Sequence, residues 1–554
     1  MFSFLVLVFA VSALYLLNGW NRSLLVEEPA QGGSVSEGVI GYPRFINPLL
    51  AFSQADKDLA SLIYSGLMRK EPDGSLVPDL AESYSVSDDG MDYTFILKKG
   101  SRFQDGEPVT ADDVIFTVNQ AKNPVLRVQN GVNWSGITAE KTDDRTVKFT
   151  LSKPDASFLE DTTLGILPRK LWEGSPLELN NHNTDPVGSG PFKITNIVKN
   201  PDGVAVSYDL SPFDRFALGA PYIRKFTFRF YSSESDLLSA LESGQVDQIS
   251  GISPENAKML AEDGYQIHSY FLPRVFGLFF NQSENPVFID ENVIAAINLA
   301  VDKNRIVSEA LSGYGVAIDS PIPPSLEPEE NAGGSDPSSR SDKIKQAQTL
   351  LDKSGWKKNA DGFLEKNITI GKKKTLTPLS FAISTGNSED LMKTASIIKD
   401  NLEGLGMQVT INTYNLGDLN QLVIKPRKYD SLLFGETVNR LSDLFAFWHS
   451  SQRKDPGLNV AMYTNAKSDK ILEDALSSLD AKTRNEKYAQ FEAEIKKDMP
   501  AVFVYSPDFI YVTKKNLKGP LGKSVDSPED RFSGAYRWYT DTDGVWKIFA
   551  SQNH

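Results

Sequence analysis

Alternating apolar and polar positions predict several strands along the chain. Residues 93–97 place Tyr93, Phe95 and Leu97 on one face of an extended segment, as in a largely buried strand. The same two-residue period recurs at Val147, Phe149 and Leu151 and at Phe226, Phe228 and Phe230. Asp-Gly pairs, which tolerate the positive φ of tight turns, punctuate this pattern at Asp73-Gly74, Asp89-Gly90 and Asp105-Gly106.

A second period, of three to four residues, predicts helices. The first follows Ser53 and carries Leu59 and Leu62 on one face. A Ser or Thr followed three residues later by Asp, which is typical of a helix start, occurs at Ser53 and Asp56, at Thr110 and Asp113, and at Ser233 and Asp236. Strands and helices therefore follow one another along the chain, and this order indicates an α/β fold.

The amino-terminal residues 1–17 are almost wholly apolar. As a helix they would extend about 25 Å, near the short limit for a membrane span. A cleaved signal peptide is the alternative, with small residues at Val11-Ser12-Ala13, but no Lys or Arg precedes the apolar run. We therefore expect an uncleaved anchor, followed by a polar tether over residues 18–37.

Charge and composition exclude several classes of function. The net charge of −14 disfavours a nucleic-acid partner, because a polyanion would be repelled. The chain has no Cys, which excludes disulfides, thiolate metal sites, a Cys nucleophile and a lipid-modified Cys. Its four His residues are scattered, so we expect no metal site and no cofactor.

Three linked segments carry a family resemblance. They are residues 73–84, DGSLVPDLAESY, residues 89–100, DGMDYTFILKKG, and residues 103–114, FQDGEPVTADDV. In content, order and spacing they resemble the signature region of the family 5 extracellular solute-binding proteins, the peptide- and oligopeptide-binding subunits of ABC importers. The resemblance extends over nearly all of residues 38–539.

The resemblance implies an enlarged class II periplasmic-binding-protein-like fold of two α/β lobes. The first lobe would comprise residues 38–66, 186–268 and 498–554, with a subdomain inserted at 67–185, and the second lobe residues 269–497. Two crossings of the chain would join the lobes, and a ligand that bridges them would favour closure.

The resemblance also implies where a peptide would bind. The candidate ligand-binding residues are Phe52, Phe434, Gly435, Glu436, Arg440, Asp443, Trp448 and Tyr505. The strand at 432–436 would pair with an extended peptide, and a carboxylate would receive its amino terminus. The usual Asp-x-x-x-Pro arrangement is absent and Val438 stands near the expected carboxylate, so Glu436 or Asp443 is the candidate. The alternatives are that both acids are solvated loop charges and that Trp448 is a core aromatic.

The expected function is capture of dipeptides or oligopeptides outside the cytoplasm by a monomer that is anchored to the membrane. Its partners would be an ABC permease and the associated ATPase subunits. Another small solute, such as a sugar or a metal chelate, is an alternative ligand. An exported hydrolase is less favoured, because Asp88-Asp89 and Asp112-Asp113 fit a turn and a helix start and no Gly-x-Ser-x-Gly motif is present. A receptor domain for a signalling partner is a third interpretation.

Overall fold

The computed structural model describes residues 24–126, 128, 131–155, 157–326, 339–370, 373–478, 480–514, 517–522 and 525–546, together with residues 2, 4 and 9. The predicted anchor or signal segment at 1–17 lies outside the described residues apart from these three positions. In the part of the chain that is described, no helix combines the length and the apolar character needed to cross a bilayer.

Strands and helices follow one another along the whole described chain. The strands are β1 Leu25–Pro29, β2 Gly32–Ile40, β3 Met68–Lys70, β4 Leu76–Pro78, β5 Ala81–Val86, β6 Asp92–Leu97, β7 Ile137–Asp143, β8 Thr146–Leu151, β9 Phe192–Lys199, β10 Ala205–Pro212, β11 Ile223–Tyr231, β12 Gln248–Ser250, β13 Gln266–Phe271, β14 Arg274–Phe280, β15 Gly315–Ala317, β16 Lys357–Lys358, β17 Leu364–Ile370, β18 Lys373–Pro378, β19 Ser380–Gly386, β20 Gln408–Tyr414, β21 Ser431–Thr437, β22 Ala501–Thr513 and β23 Thr542–Trp546. The helices are α1 Gln54–Ile63, α2 Ala111–Ala121, α3 Phe158–Asp161, α4 Arg169–Trp172, α5 Glu234–Glu242, α6 Pro254–Glu262, α7 Glu291–Ala300, α8 Lys303–Glu309, α9 Arg340–Lys353, α10 Glu389–Glu403, α11 Leu416–Asp418, α12 Leu444–Trp448, α13 Ala466–Ser477 and α14 Ala481–Asp498.

The helix starts predicted from capping residues are confirmed. The Oγ of Ser53 accepts a hydrogen bond from the backbone N–H of Asp56 at 3.2 Å, and α1 begins at Gln54, directly after Ser53. Asp113 Oδ2 accepts from the backbone N–H of Thr110 at 2.9 Å, ahead of α2. These bonds satisfy backbone groups that a helix start would otherwise leave without a partner.

One mixed sheet runs through both lobes, in the order β20-β19-β21-β14-β22-β12-β2-β11-β10-β9. Strand β22 belongs to both lobes, because its first part pairs with β14 and its later part with β13 and β12. The chain also crosses between the lobes at Leu272–Pro273, which connect β13 to β14. The predicted two-lobed α/β fold with two crossings is confirmed.

The inserted segment carries its own sheet, in the order β5-β6-β8-β7. Phe95 and Phe149 pack edge to face there, with ring centroids 5.8 Å apart, and Phe158 packs on Phe149 at 5.4 Å. The alternation in β6 and β8 therefore marks a buried face, as predicted. The residue boundaries expected for the lobes and the insert remain a prediction.

The second lobe has a hydrophobic core on each face of its sheet. Leu433 packs with the helices on one face and Leu432 with those on the other. Successive side chains of a strand point to opposite faces, so the continuous apolar run of β21 fits a strand that is covered on both sides.

The predicted tether is wrong from residue 25 onward. Strand β1 pairs with β23, and β2 lies between β11 and β12, in parallel with both. Gly and polar residues dominate this segment, a composition that is typical of a linker. In the fold, Gly38 allows the side chain of Leu237 to approach, because a Cβ at Gly38 would lie 2.5 Å from Leu237 Cδ1. A residue without a side chain is therefore required at Gly38, where helix α5 covers β2.

A buried ionic cluster connects the carboxyl-terminal segment to β2 and α1. Arg531 donates to Glu37 Oε1 at 3.0 Å and to both Asp58 carboxylate oxygens, at 2.8 and 2.6 Å. All three side chains are fully buried. Burial raises the pKa of Glu37 to about 7, although the charge of Arg531 opposes that shift.

Candidate ligand-binding cleft

A cavity of about 930 Å³, here called the cleft cavity, lies between the two lobes. The first lobe contributes the turn before α1, the β3–β4 hairpin, part of the inserted subdomain and the segment 526–533. The second lobe contributes Ser325, Leu326, Asn439, Arg440 and Asp443. Because both lobes form its walls, a ligand in this cavity would contact both of them.

Asp443 organises the loop that follows β21. Its Oδ2 accepts hydrogen bonds from the backbone N–H groups of Asn439 at 2.9 Å and Arg440 at 3.1 Å. Oδ1 forms no hydrogen bond with any residue that the structure describes. Burial raises the pKa of Asp443, and the bond from the Arg440 backbone opposes that shift. One carboxylate oxygen is thus left for a ligand at the cleft wall.

Arg440 crosses the cleft. Its guanidinium donates to Ser157 Oγ at 2.9 Å and to Asp161 Oδ1 at 3.3 Å, both in the inserted segment of the first lobe. The Asp161 side chain is 8% exposed, and Asn133 donates to the same oxygen at 2.8 Å. Burial raises the pKa of Asp161, against the opposing charge of Arg440. This pair directly connects the lobes across the cavity.

The cleft cavity is acidic. Carboxylates outnumber basic groups by eight to four among its lining residues. Each basic group has a carboxylate within ion-pair distance: Lys57 with Glu529 at 4.0 Å, Arg69 with Asp79 at 2.9 Å, Lys70 with Asp526, and Arg440 with Asp161 at 3.3 Å. The remaining carboxylates give the cavity a negative potential that attracts cationic groups.

Strand β21 has a partly free edge. It pairs with β14 from Ser431 to Thr437, whereas its pairing with β19 ends at Leu433. Beyond that point, Phe434, Gly435 and Glu436 have no second strand beside them in the described chain. Backbone groups at such an edge are able to pair with an extended peptide.

Glu436 is not at the surface of either cavity described for this structure. Its side chain is 2% exposed, and neither carboxylate oxygen has a hydrogen-bond partner among the described residues. Burial raises its pKa well above the ordinary value of 4.5. A neutral buried carboxyl is poorly suited to hold an ammonium group, so of the two acids proposed for that role Asp443 has the better position.

The other predicted site residues are dispersed. Trp448 is fully buried in the second lobe, where it packs against Phe279 and Phe503. Its position is therefore that of a core aromatic, which was the alternative interpretation. Tyr505 is also fully buried, and its ring stacks on Phe276 with centroids 4.8 Å apart. Neither of the two residues lines a described cavity.

Phe52 is 86% exposed. It lies in the chain between Ala51, which lines the cleft cavity, and Gln54, which lines a second cavity.

This second cavity, here called the hinge cavity, has a volume of about 380 Å³ and lies where the chain crosses between the lobes. Arg274 lines it and was not predicted from the sequence. A usable signal was present, because Arg274 is a basic residue at the start of an otherwise apolar strand.

Comparisons with known proteins give sequence matches along most of the chain. A sequence model of the bacterial extracellular solute-binding proteins, family 5 (middle region), matches residues 75–456. The oligopeptide-binding protein AppA of Bacillus subtilis (strain 168) is 28% identical over 503 residues, covering 89% of each chain. The dipeptide-binding protein of Escherichia coli (strain K12) is 25% identical over 519 residues, covering 87% of this chain and 92% of that protein.

Two solved structures share the fold. The structure of Bacillus subtilis AppA in complex with a nonapeptide superposes with a TM-score of 0.70 at 27% identity, covering 93% of this chain and 100% of AppA. NikZ from Campylobacter jejuni in complex with Ni(L-His) superposes with a TM-score of 0.71 at 27% identity, covering 91% of this chain and 99% of NikZ. The matched family region exceeds half of the sequence and lies within a two-lobed fold with an interlobe cavity. The chain therefore belongs to family 5 of the bacterial extracellular solute-binding proteins.

Proposed function

We propose that this chain is the substrate-binding subunit of an ABC importer and captures dipeptides or oligopeptides in the cleft cavity. The observation that carries the proposal is the cavity itself, which has walls from both lobes and a direct ion pair across it. The similarity to AppA, whose structure holds a nonapeptide, supports a peptide as the ligand. A permease and its ATPase subunits are the partners that such a subunit requires.

Recognition would use the backbone of the peptide and its amino terminus. Backbone pairing, which does not depend on peptide side chains, would use the edge of β21 beyond Leu433. Phe434 and Gly435 line neither described cavity, but the strand leads to Asn439 and Arg440 at the wall of the cleft cavity. Asp443 would receive the ammonium group, because it lines the cleft cavity and one of its oxygens has no hydrogen-bond partner among the described residues. The exposed ring of Phe52 would cover the peptide from the first lobe.

The charge of the cavity predicts a preference among peptides. With carboxylates in twofold excess over basic groups, the cavity favours peptides that carry Lys or Arg over peptides rich in Asp or Glu. The preference should weaken as ionic strength rises, because salt screens charges separated by more than about 10 Å at 0.1 M.

The proposed location is the outer face of the cell membrane. The family name describes extracellular proteins, and the apolar residues 1–17 would anchor a monomer there. The sequence contains no Cys that could carry a lipid.

Calorimetry with matched peptides tests the proposal. A free peptide should bind with one-to-one stoichiometry and without turnover, and the same peptide with an acetylated amine should bind about ten- to hundredfold more weakly, because a charge-assisted bond is lost. Asp443→Asn should lose the same discrimination, whereas Glu436→Gln should keep it. Equal affinity for the two peptides would falsify the amine site, and turnover of the peptide would indicate a hydrolase instead.

A metal chelate is the second candidate ligand, because NikZ, whose structure holds Ni(L-His), superposes as well as AppA does. Within the described residues, no cluster of three or more His, Asp or Glu side chains is arranged to hold a metal ion. A chelate would therefore have to bring its own ligands for the metal.

A further inference from the structure

The hinge cavity combines apolar walls with a few isolated charges. Val39, Ile252 and Phe509 contribute apolar surface from the first lobe and the crossing, and Phe276 and Leu311 contribute it from the second lobe. The hinge cavity adjoins the cleft cavity at segment 527–529, where Pro528 lines the former and its two neighbours line the latter. A small molecule in this space would contact both lobes.

Arg274 is the only basic group among the described residues that line the hinge cavity. It is half-buried, and its guanidinium forms no hydrogen bond and no ion pair with any residue that the structure describes. Burial lowers the pKa of Arg274, and the charge of Glu529 opposes that shift without a direct contact. A desolvated guanidinium has five N–H donors and favours a carboxylate partner in a two-point contact.

Two carboxylates line the same cavity without touching Arg274. Asp390, in the first turn of α10, has no hydrogen-bond or ion-pair partner in the described part of the chain. Asp508 accepts a hydrogen bond from the hydroxyl of Ser269, but its Oδ1 is buried and unpartnered among the described residues. The cavity thus holds charges of both signs, and in the described structure neither carboxylate forms an ion pair with Arg274.

We propose that the hinge cavity is a second ligand site, distinct from the peptide cleft, for a small zwitterion with an apolar side chain. The carboxylate of the ligand would lie on Arg274, its ammonium group near Asp390 or Asp508, and its side chain against the apolar wall. The volume of about 380 Å³ is at the small end of ligand pockets, which suits a free amino acid or a dipeptide. An occupant would stabilise the closed arrangement of the lobes through contacts with both of them.

Calorimetry on the full chain, freed of bound solutes by unfolding and refolding, tests this site. The probes are L-leucine, 4-methylpentanoate, which lacks the amine, 3-methylbutylamine, which lacks the carboxylate, and leucyl-leucine. We expect leucine or leucyl-leucine to bind, and the one that binds more tightly reports whether an amino acid or a dipeptide fits. Each single-charge analogue should bind roughly ten- to hundredfold more weakly.

Substitutions test which residues bind the carboxylate and the ammonium group of the ligand. Arg274→Gln should weaken zwitterion binding by about tenfold or more, and either Asp390→Asn or Asp508→Asn should abolish the advantage of leucine over 4-methylpentanoate. The matched controls, Arg215→Gln and Asp88→Asn, remove the same charges from exposed positions that line neither cavity, and they should leave affinity unchanged. If Arg274→Gln does not fold, Arg274→Lys keeps the charge, removes the two-point contact and should still weaken binding.

The proposal is overturned if neither zwitterion binds, or if Arg274→Gln and Arg274→Lys bind as tightly as the natural protein. It is also overturned if the exposed controls weaken binding equally. The site does not depend on the proposed peptide function. Titrating the natural protein and Arg274→Gln with both leucine and a longer peptide separates the two. Leucine binding that Arg274→Gln loses, in a natural protein that binds no longer peptide, would count against the cleft proposal alone.

Discussion

Arg440 of the second lobe donates a hydrogen bond of 3.3 Å to Asp161 of the inserted segment. The side chains are 19% and 8% exposed, so solvent screens this pair less than it screens a surface ion pair. The pair therefore favours the closed arrangement of the lobes before any ligand contributes contacts.

The first prediction is that Arg440→Gln opens the unliganded protein. The radius of gyration from small-angle X-ray scattering should increase. Peptide affinity should fall about tenfold or more, because the bonds to both Ser157 and Asp161 are lost and each is worth about 0.5–1.5 kcal/mol. Adding Asp161→Asn to this variant should have little further effect, because the two residues share one interaction. An unchanged radius of gyration would show that the pair does not hold the lobes together.

The second prediction concerns the buried Glu436. Its folded-state pKa is raised, so the folded protein retains a proton that the unfolded chain loses above about pH 4.5. The stability of the natural protein should therefore fall as pH rises from about 4.5 toward the folded-state pKa. Glu436→Met removes this penalty, and its gain in melting temperature should be larger at pH 8 than at pH 5. A constant difference between the two proteins across that range contradicts the prediction.

The third prediction concerns Arg531. Arg531→Met would leave the carboxylates of Glu37 and Asp58 buried without their cation, and breaking a buried pair costs about 3–5 kcal/mol. Because the pKa of Glu37 is about 7 and that group is protonated in acid, the loss measured by urea unfolding should be smaller at pH 5 than at pH 8. Arg305→Met removes an exposed pair and should change stability by less than about 1 kcal/mol.

The fourth prediction separates the anchor from the fold. Deleting residues 1–17 should release a folded protein from the membrane fraction with its peptide affinity intact. Deleting residues 1–37 removes β1 and most of β2, a strand with a neighbour on each side, and should prevent folding. Circular dichroism and cell fractionation give both results. A 1–17 deletion that remains in the membrane fraction would contradict the anchor.

The fifth prediction is that ligand binding is independent of metal ions. Peptide affinity measured by calorimetry should be the same with and without EDTA, because no suitable cluster of ligands occurs in the described residues. A loss of affinity in EDTA that Ni²⁺ reverses would favour a metal chelate as the natural ligand.

Local patterns in the sequence determined the elements and the fold class. The capping residues Ser53 and Thr110 predicted the starts of α1 and α2, because the bonds that satisfy a helix start lie within three residues of each other. The alternation of Tyr93, Phe95 and Leu97 likewise predicted a buried strand, since the period of a strand is fixed by its backbone.

Only the tertiary structure decided which of the candidate residues face a cavity. Glu436 and Asp443 are seven positions apart and chemically alike. Glu436 is nevertheless buried with no hydrogen-bond partner in the described part of the chain, whereas Asp443 lines the cleft. The contact between Arg440 and Asp161 joins residues 279 positions apart, and the elements that surround Arg274 decide that it has no ion-pair partner among the residues described. Such relations arise from long-range packing, whereas the sequence periods report only neighbours along the chain.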